Sequence, residues 1–315
     1  MSAAALGVLK MVAIYSIVSA HVDVKEGASG VLAVLKTVYY VFGSMGVGLF
    51  FIVTGCGVAA RPKKISATFT KLFSFYALPW VLSGCVVYSY LYFRKGAPNL
   101  SLVNFLIGNG SYLYFMPVFF LVLLFGVSLR FRVLRIFALV ASLAYTVSGQ
   151  ALMSHVISEH LNPLLWIPYV VFGFALDASS RQSRNVFISL EFLLIIIFAL
   201  WGFLFTKDQF VTQSGLNYQS ATLVFLVCSV GGILVSHRKL PLGSSIDEVS
   251  KNTLLVYLWH MPLIGALNFA SNNYVKPLFL VSPAIVLGCF FLLLKLARRF
   301  APSAWGLRLL GARLQ

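Results

Sequence analysis

The chain has 315 residues, of which 60% are hydrophobic and only 10% are charged, and its mean hydropathy is +0.91. This composition is far more apolar than that of soluble proteins and indicates an integral membrane protein. Lys and Arg outnumber Asp and Glu by 24 to 8. They are spread over the connections between apolar stretches, so we expect contact with membrane lipids and no nucleic-acid partner.

Repeated apolar stretches near the ~20 residues that cross a bilayer predict an all-α integral membrane protein, a bundle of about ten transmembrane helices. The bundle forms one transmembrane domain over residues 1–315, with a short basic cytoplasmic tail from about residue 298. The predicted spans are residues 3–21, 39–60, 69–93, 113–129, 133–150, 163–177, 185–206, 217–236, 249–270 and 278–297.

The first predicted span contains Lys10 and His21, eleven residues apart. Eleven residues of α-helix leave only ~20° of rotation and rise ~16 Å, so both side chains share one face at different depths. One cation and one imidazole would then line the same stripe of the bundle interior, as at a functional site. Alternatively, Lys10 snorkels towards a headgroup and His21 caps the helix at the outer interface.

The distribution of basic residues predicts the orientation of the chain. Seventeen of the 24 Lys and Arg lie on segments that share one side of the bundle, six lie on the alternate segments, and Lys10 lies within the first span. This asymmetry follows the positive-inside rule and predicts that both termini are cytoplasmic.

The cysteines indicate neither a disulfide nor a metal site. All four fall inside apolar stretches without paired metal-ligand spacing, so we expect packing roles. They are Cys56, Cys85, Cys228 and Cys289.

Four stretches in this order resemble motifs of one family. They are the basic residue, ten-residue spacer and histidine of Lys10–His21, the Gly-Val-Gly-Leu-Phe-Phe-Ile-Val-Thr-Gly of residues 46–55, the Leu-Tyr-Phe of residues 113–115, and the Tyr-Leu-Trp-His-Met-Pro of residues 257–262. Together they resemble the acyltransferase type 3 family, membrane-integral bacterial enzymes that O-acylate cell-surface carbohydrates. The resemblance spans residues 10–262, and the ten-helix core of the family agrees with the predicted spans.

The resemblance implies a multi-pass enzyme of the bacterial inner membrane that is acyl-CoA dependent. Acetyl-CoA is the favoured donor, and the acceptor is a hydroxyl of a surface polysaccharide, such as O-antigen or exopolysaccharide, or of its lipid-linked precursor. An imidazole with a reference pKa near ~6.5 suits proton removal from that hydroxyl at neutral pH. His21 is the predicted general base or transient acyl carrier, with Lys10 on the same stripe. Asp23 or Glu26 is a candidate to orient its ring.

The family usually holds the donor with an Arg-x-x-Arg pair before a proline, and this chain departs from that pattern. Lys71 approximates the first arginine, and Ser74 stands at the second position. Lys71, with Arg61 and Lys64, is the predicted site for the phosphates of coenzyme A. The alternative is that these charges only set topology at a cytoplasmic edge.

Further polar residues in the apolar background are candidate contacts. His260, Tyr257 and Tyr114 are predicted to bind substrate; alternatively, His260 only packs against a neighbouring helix. Glu191 is a candidate partner of Lys10 by depth, whereas His155 and His160 are interpreted as loop residues. No metal is expected, and the oligomeric state is not indicated.

A second hypothesis is a transporter or flippase without chemistry, since a polar stripe also suits a conduction path.

Overall fold

A computed structural model of the chain describes thirteen ranges, and every element in them is helical. The described residues are 3–22, 39, 42–43, 45–60, 73–95, 101–108, 111–128, 131–144, 161–163, 166–178, 244–273, 278–300 and 311–312. The helices are α1 (Ala3–Ala20), α2 (Gly46–Ala60), α3 (Leu78–Lys95), α4 (Leu102–Ile107), α5 (Phe115–Ser128), α6 (Arg132–Ala144), α7 (Ile167–Ala178), α8 (Ser244–Lys251), α9 (Thr253–Asn273) and α10 (Leu278–Phe300). A π-helical turn (Phe73–Ala77) precedes α3, and a 3-10 turn (Tyr112–Tyr114) precedes α5. The all-α prediction is confirmed for this part of the chain.

Eight of the predicted spans overlap described helices, and the spans at residues 185–206 and 217–236 lie outside the described residues. By length and composition, α9 and residues 278–297 of α10 can cross a membrane, while α1, α2 and α5 contain shorter apolar helices. Helices α4 and α8 were not predicted. Both are too short to span a bilayer, because a residue of helix rises only ~1.5 Å.

The described surface carries many large apolar side chains. Phe93 of α3 is 84% exposed and Val133 of α6 is 76% exposed, and further examples lie on α9 and α10. Soluble proteins rarely expose apolar surface on this scale, whereas lipid-facing helices do so routinely. The exposure agrees with the hydropathy of the sequence in pointing to a membrane protein.

The chain divides into two compact units. The first contains Met1–Leu9, Val47–Phe69 and Tyr114–Pro241, and the second contains Lys10–Gly46, Thr70–Leu113 and Leu242–Gln315. In the first unit, α7 packs against α5 and α6. Its buried core includes tilted ring contacts of Phe51 with Phe115 and with Trp166.

Helices α2 and α7 of the first unit touch backbone to backbone. A Cβ added at Gly55 would collide with the carbonyl oxygen of Val170, and a Cβ added at Gly173 would collide with that of Ile52. The Cys56 thiol donates to the Gly173 carbonyl oxygen at 3.1 Å. Small residues permit this approach, as is typical of membrane helix pairs.

In the second unit, α9 packs on α10 and on α3, and α3 in turn packs on α4. Helix α4 is short because the sequence caps it at both ends. The Ser101 hydroxyl accepts from the Asn104 amide at 3.2 Å, and Gly108 ends the helix in the left-handed region at φ 91°. These caps are the standard start and stop signals of a helix.

Candidate active site

The end of α1 places His21 in the second unit. The helix is uninterrupted from Lys10 to Ala20, as the shared-face argument requires, and the His21 amide then donates to the Val18 carbonyl at 3.1 Å in a closing turn. The Lys10 side chain is partly buried, as is that of His21. The geometry of α1 therefore keeps the predicted rise of ~16 Å between the two residues.

Gly43 and Gly46, just before and at the start of α2, lie very close to α1. A Cβ added at Gly43 would lie 2.6 Å from Ala20, the residue before His21. A Cβ added at Gly46 would lie 2.7 Å from the carbonyl oxygen of Ala13. Gly46 opens the predicted Gly-Val-Gly motif, so the glycine is explained by helix contact and not by chemistry.

His21 faces a second histidine from α9. The His21 and His260 ring centroids are 5.2 Å apart, with the rings tilted by 42°. Asn268 lies about two helical turns after His260 on α9, and its side-chain amide donates to the His21 carbonyl at 2.9 Å. Two contacts from one helix thus fix the backbone and the ring of His21, and the sequence separation of more than 200 residues shows that only tertiary folding creates this pair.

Pro262 shapes the part of α9 that carries His260. Proline has no amide hydrogen, so the carbonyl of Leu258, four residues earlier, lacks its usual helical donor. The Tyr112 hydroxyl, from the 3-10 turn before α5, donates to that carbonyl at 2.8 Å. In return, the Tyr257 hydroxyl of α9 donates to the Tyr112 carbonyl oxygen. These two bonds, which we call the tyrosine clasp, fasten the turn to α9.

The tyrosine clasp forms one wall around His260. The Tyr112 ring meets the His260 ring edge-on at 5.5 Å, and the Tyr257 ring lies 6.0 Å from it. His260 itself is 0% exposed. Three rings, those of His21, Tyr112 and Tyr257, therefore contact its imidazole.

The two nitrogens of His260 have different surroundings. Nδ1 lies 2.7 Å from the Tyr257 carbonyl oxygen, which can only accept. Nε2 is buried and has no hydrogen-bond partner among the described residues. A buried polar atom without a partner is costly, and such atoms often belong to functional sites.

The described rings around His260 belong to His21, Tyr112 and Tyr257, none of which carries a permanent charge. Two imidazoles this close in a buried setting disfavour simultaneous protonation. The histidine pair offers a lone pair on each ring, which is what a base for a hydroxyl group requires. No group of three or more potential metal ligands occurs in the described part of the chain.

A family model described as an acyltransferase domain matches residues 4–296. The chain belongs to this acyltransferase family. The match confirms the resemblance to the acyltransferase type 3 family drawn from the four motifs. Comparisons with curated proteins and with solved structures find no match.

The structure of this acyltransferase brings His21, His260 and Tyr257 together, three of the residues singled out from sequence. Tyr114 ends the same 3-10 turn as Tyr112 and is assigned to the first unit. Several other candidates lie outside the described residues: Arg61, Lys64 and Lys71 for the donor, Asp23 and Glu26 as orienting groups, Glu191, His155 and His160.

Sequence reasoning missed Tyr112 and Asn268 of the acyltransferase. Asn268 had no distinguishing pattern, because one amide in a polar end of a helix is common. Tyr112 had an indirect signal, since Pro262 within an apolar helix implies a carbonyl that needs another donor. No pattern in the sequence indicates which donor fills that need.

Proposed function

We propose that the protein is a membrane O-acyltransferase that moves an acyl group, with acetyl favoured, from cytoplasmic acyl-CoA to a hydroxyl of a cell-surface polysaccharide or its lipid-linked precursor. The observation that carries the proposal is the pairing of His21 with a buried second histidine, at 5.2 Å, in a chain that belongs to an acyltransferase family. An imidazole pair is a base without a metal, which suits hydroxyl acylation.

In the proposed step, the acceptor hydroxyl gives its proton to a nitrogen of His21 as its oxygen attacks the thioester carbonyl. The new bond is the ester C–O bond, and the bond that breaks is the thioester C–S bond. The coenzyme A thiolate leaves and takes the proton back from His21, so the enzyme returns to its starting state. A variant of the scheme passes the acyl group through His21 as a covalent intermediate before the acceptor attacks.

The proposed topology brings the two substrates to His21 from opposite sides. Ten spans with both termini cytoplasmic would place Lys10 towards the cytosol and His21 near the outer face of the bacterial inner membrane. The long pantetheine arm of coenzyme A would then run past Lys10, with its phosphates held by Arg61, Lys64 and Lys71. The whole chain would serve as one transmembrane domain with a basic cytoplasmic tail.

The acceptor would approach His21 from the outer side. Tyr257 lies in ring contact with His260 and is the proposed contact of the acceptor sugar, whereas Tyr114 stays a prediction from the sequence. His260 takes part through its contact with His21. Although the Tyr257 hydroxyl donates to Tyr112, its oxygen can still accept from a sugar hydroxyl.

The test uses membranes that contain the full chain, acetyl-CoA labelled in its acetyl group, and extracted glycolipid. We expect label to enter the glycolipid and to be released by mild alkali, as an ester is. Membranes with His21→Ala serve as the matched control. If no acyl-CoA in a series from acetyl to succinyl labels the glycolipid, the transferase proposal is wrong; movement of unmodified glycolipid across the membrane would instead support a flippase.

A further inference from the structure

The tautomer of His260 follows from its contacts. The Tyr257 carbonyl oxygen has no hydrogen to give, so the 2.7 Å contact requires the proton of a neutral His260 to sit on Nδ1. Nε2 then carries the lone pair. Because that atom is buried and unpartnered among the described residues, His260 presents a hydrogen-bond acceptor that nothing in this part of the chain uses.

Among the residues that the structure describes, His21 is the neighbour of His260 that can use this acceptor. The titratable groups in ring contact with His260 are Tyr112, Tyr257 and His21. The Tyr112 hydroxyl donates to Leu258 and the Tyr257 hydroxyl donates to Tyr112, so both hydroxyl hydrogens are already engaged. The His21 ring carries an N–H that can donate to this acceptor.

The distance between the rings permits this bond. The His21 and His260 ring centroids are 5.2 Å apart, so the two rings are close neighbours. The rings are tilted by 42°, and Nε2 is unpartnered in this arrangement. A rotation of the His21 ring about its second side-chain torsion, which is soft for histidine, would bring a ring nitrogen into hydrogen-bond range of Nε2.

Building on the proposed acyl transfer, we propose that His260 is a positioning residue whose Nε2 accepts a hydrogen bond from the His21 ring. The bond fixes which nitrogen of His21 carries the hydrogen, and it turns the other nitrogen towards the acceptor hydroxyl. His260 thus orients the base, as a carboxylate does in a catalytic triad. The Tyr257 carbonyl oxygen in turn accepts from His260 Nδ1 and orients His260.

The proposed role involves no proton transfer to His260. When His21 takes the proton of the acceptor hydroxyl, it becomes an imidazolium with two N–H groups, one of which points to His260 Nε2. That bond is stronger because its donor is charged, so His260 stabilises the protonated His21 that forms during the step. When the coenzyme A thiolate takes the proton, His21 returns to its neutral form and His260 is unchanged.

The first test is spectroscopic and does not depend on acyl transfer. The full chain is labelled with nitrogen-15 histidine, and His260 signals are assigned by their loss in His260→Asn. We expect protonated Nδ1 and unprotonated Nε2 at His260, and we expect the Nε2 signal to move when His21 is replaced by Ala. Protonation at Nε2, or an Nε2 signal that is unaffected by His21→Ala, overturns the inference.

The second test compares two substitutions that keep different halves of the imidazole. His260→Asn keeps an amide donor near the Tyr257 carbonyl but has no group at the Nε2 position. His260→Gln places its side-chain oxygen near the Nε2 position as an acceptor. We expect kcat to fall about 10²-fold in His260→Asn with KM little changed, and His260→Gln to recover most of that loss.

The two variants also separate failure of the inference from failure of the proposed function. If both variants lose activity equally, or if His260→Asn is the more active, Nε2 has no positioning role and the inference is wrong. If the wild-type chain transfers no acyl group, the proposed function fails, while the nitrogen spectra still decide whether His260 accepts from His21. Thermal unfolding in detergent checks that both variants remain folded.

Discussion

Removal of one hydroxyl group tests how α9 holds His260. Tyr112→Phe deletes the donor that serves the Leu258 carbonyl at 2.8 Å while it keeps the ring that meets His260. A buried carbonyl that loses its donor costs about 1–3 kcal/mol in proteins, and interhelical hydrogen bonds in membranes are worth about 0.6–1.7 kcal/mol. We therefore expect the free energy of unfolding to fall by about 1 kcal/mol.

A second substitution shows whether Pro262 is the reason for that cost. Pro262→Ala restores an amide hydrogen four residues after Leu258, and Pro262 is exposed, so its replacement leaves no cavity. In the Pro262→Ala background the Leu258 carbonyl has a helical donor. We expect Tyr112→Phe to cost less than about 0.5 kcal/mol there, a coupling of roughly 0.5–1 kcal/mol between the two sites.

The assay is denaturant unfolding of the four proteins of this double-mutant cycle in detergent. Tyr92→Phe is the matched control, because Tyr92 is exposed on α3 and its ring contacts Phe93; its replacement should change the free energy of unfolding by no more than about 0.5 kcal/mol. Equal costs of Tyr112→Phe in the two backgrounds would show that Tyr112 does not compensate for Pro262, and the argument for the tyrosine clasp would be refuted.

Two close helix contacts give further predictions. Gly43→Ala must open a 2.6 Å contact with Ala20 by about 1 Å, which moves His21 and should lower label transfer by about 10²-fold. Gly265→Ala, on the helix of His260 but with nothing within 4 Å of its added Cβ, should retain full transfer; equal losses would contradict the reasoning. Gly173→Ala should lower the unfolding midpoint in detergent, since its Cβ collides with α2. Gly57→Ala faces open space and should leave the midpoint unchanged, and a lowered midpoint there would contradict the reasoning.

Hydropathy predicts the helices of this chain well where they are long and apolar. The predicted spans at residues 3–21 and 278–297 correspond to α1 and α10 within a few residues. The span predicted at residues 249–270 begins later, at Thr253, because the chain turns at Asn252 and separates α8 from α9. Helix α4 was not predicted because it lacks a long apolar stretch, although Ser101 and Gly108 mark its ends.

The site was only partly predictable. His21 was recognisable from its distance to Lys10, and His260 from its place in an apolar helix. Their contact was not predictable, because pairing of residues 239 positions apart depends on how α1 and α9 pack. The donor side of the site rests on Arg61, Lys64 and Lys71, which lie outside the described residues and stay predictions.

The most direct test of the central claim is acyl transfer by the His21→Ala variant. Asn273→Ala is the matched control, because Asn273 is an exposed residue at the end of α9. Both proteins are compared with the wild-type chain at equal membrane content, with labelled acetyl-CoA and extracted glycolipid. We predict that His21→Ala lowers kcat for ester formation by at least about 10³-fold and that Asn273→Ala retains full transfer. Transfer by His21→Ala at the wild-type rate would contradict the account.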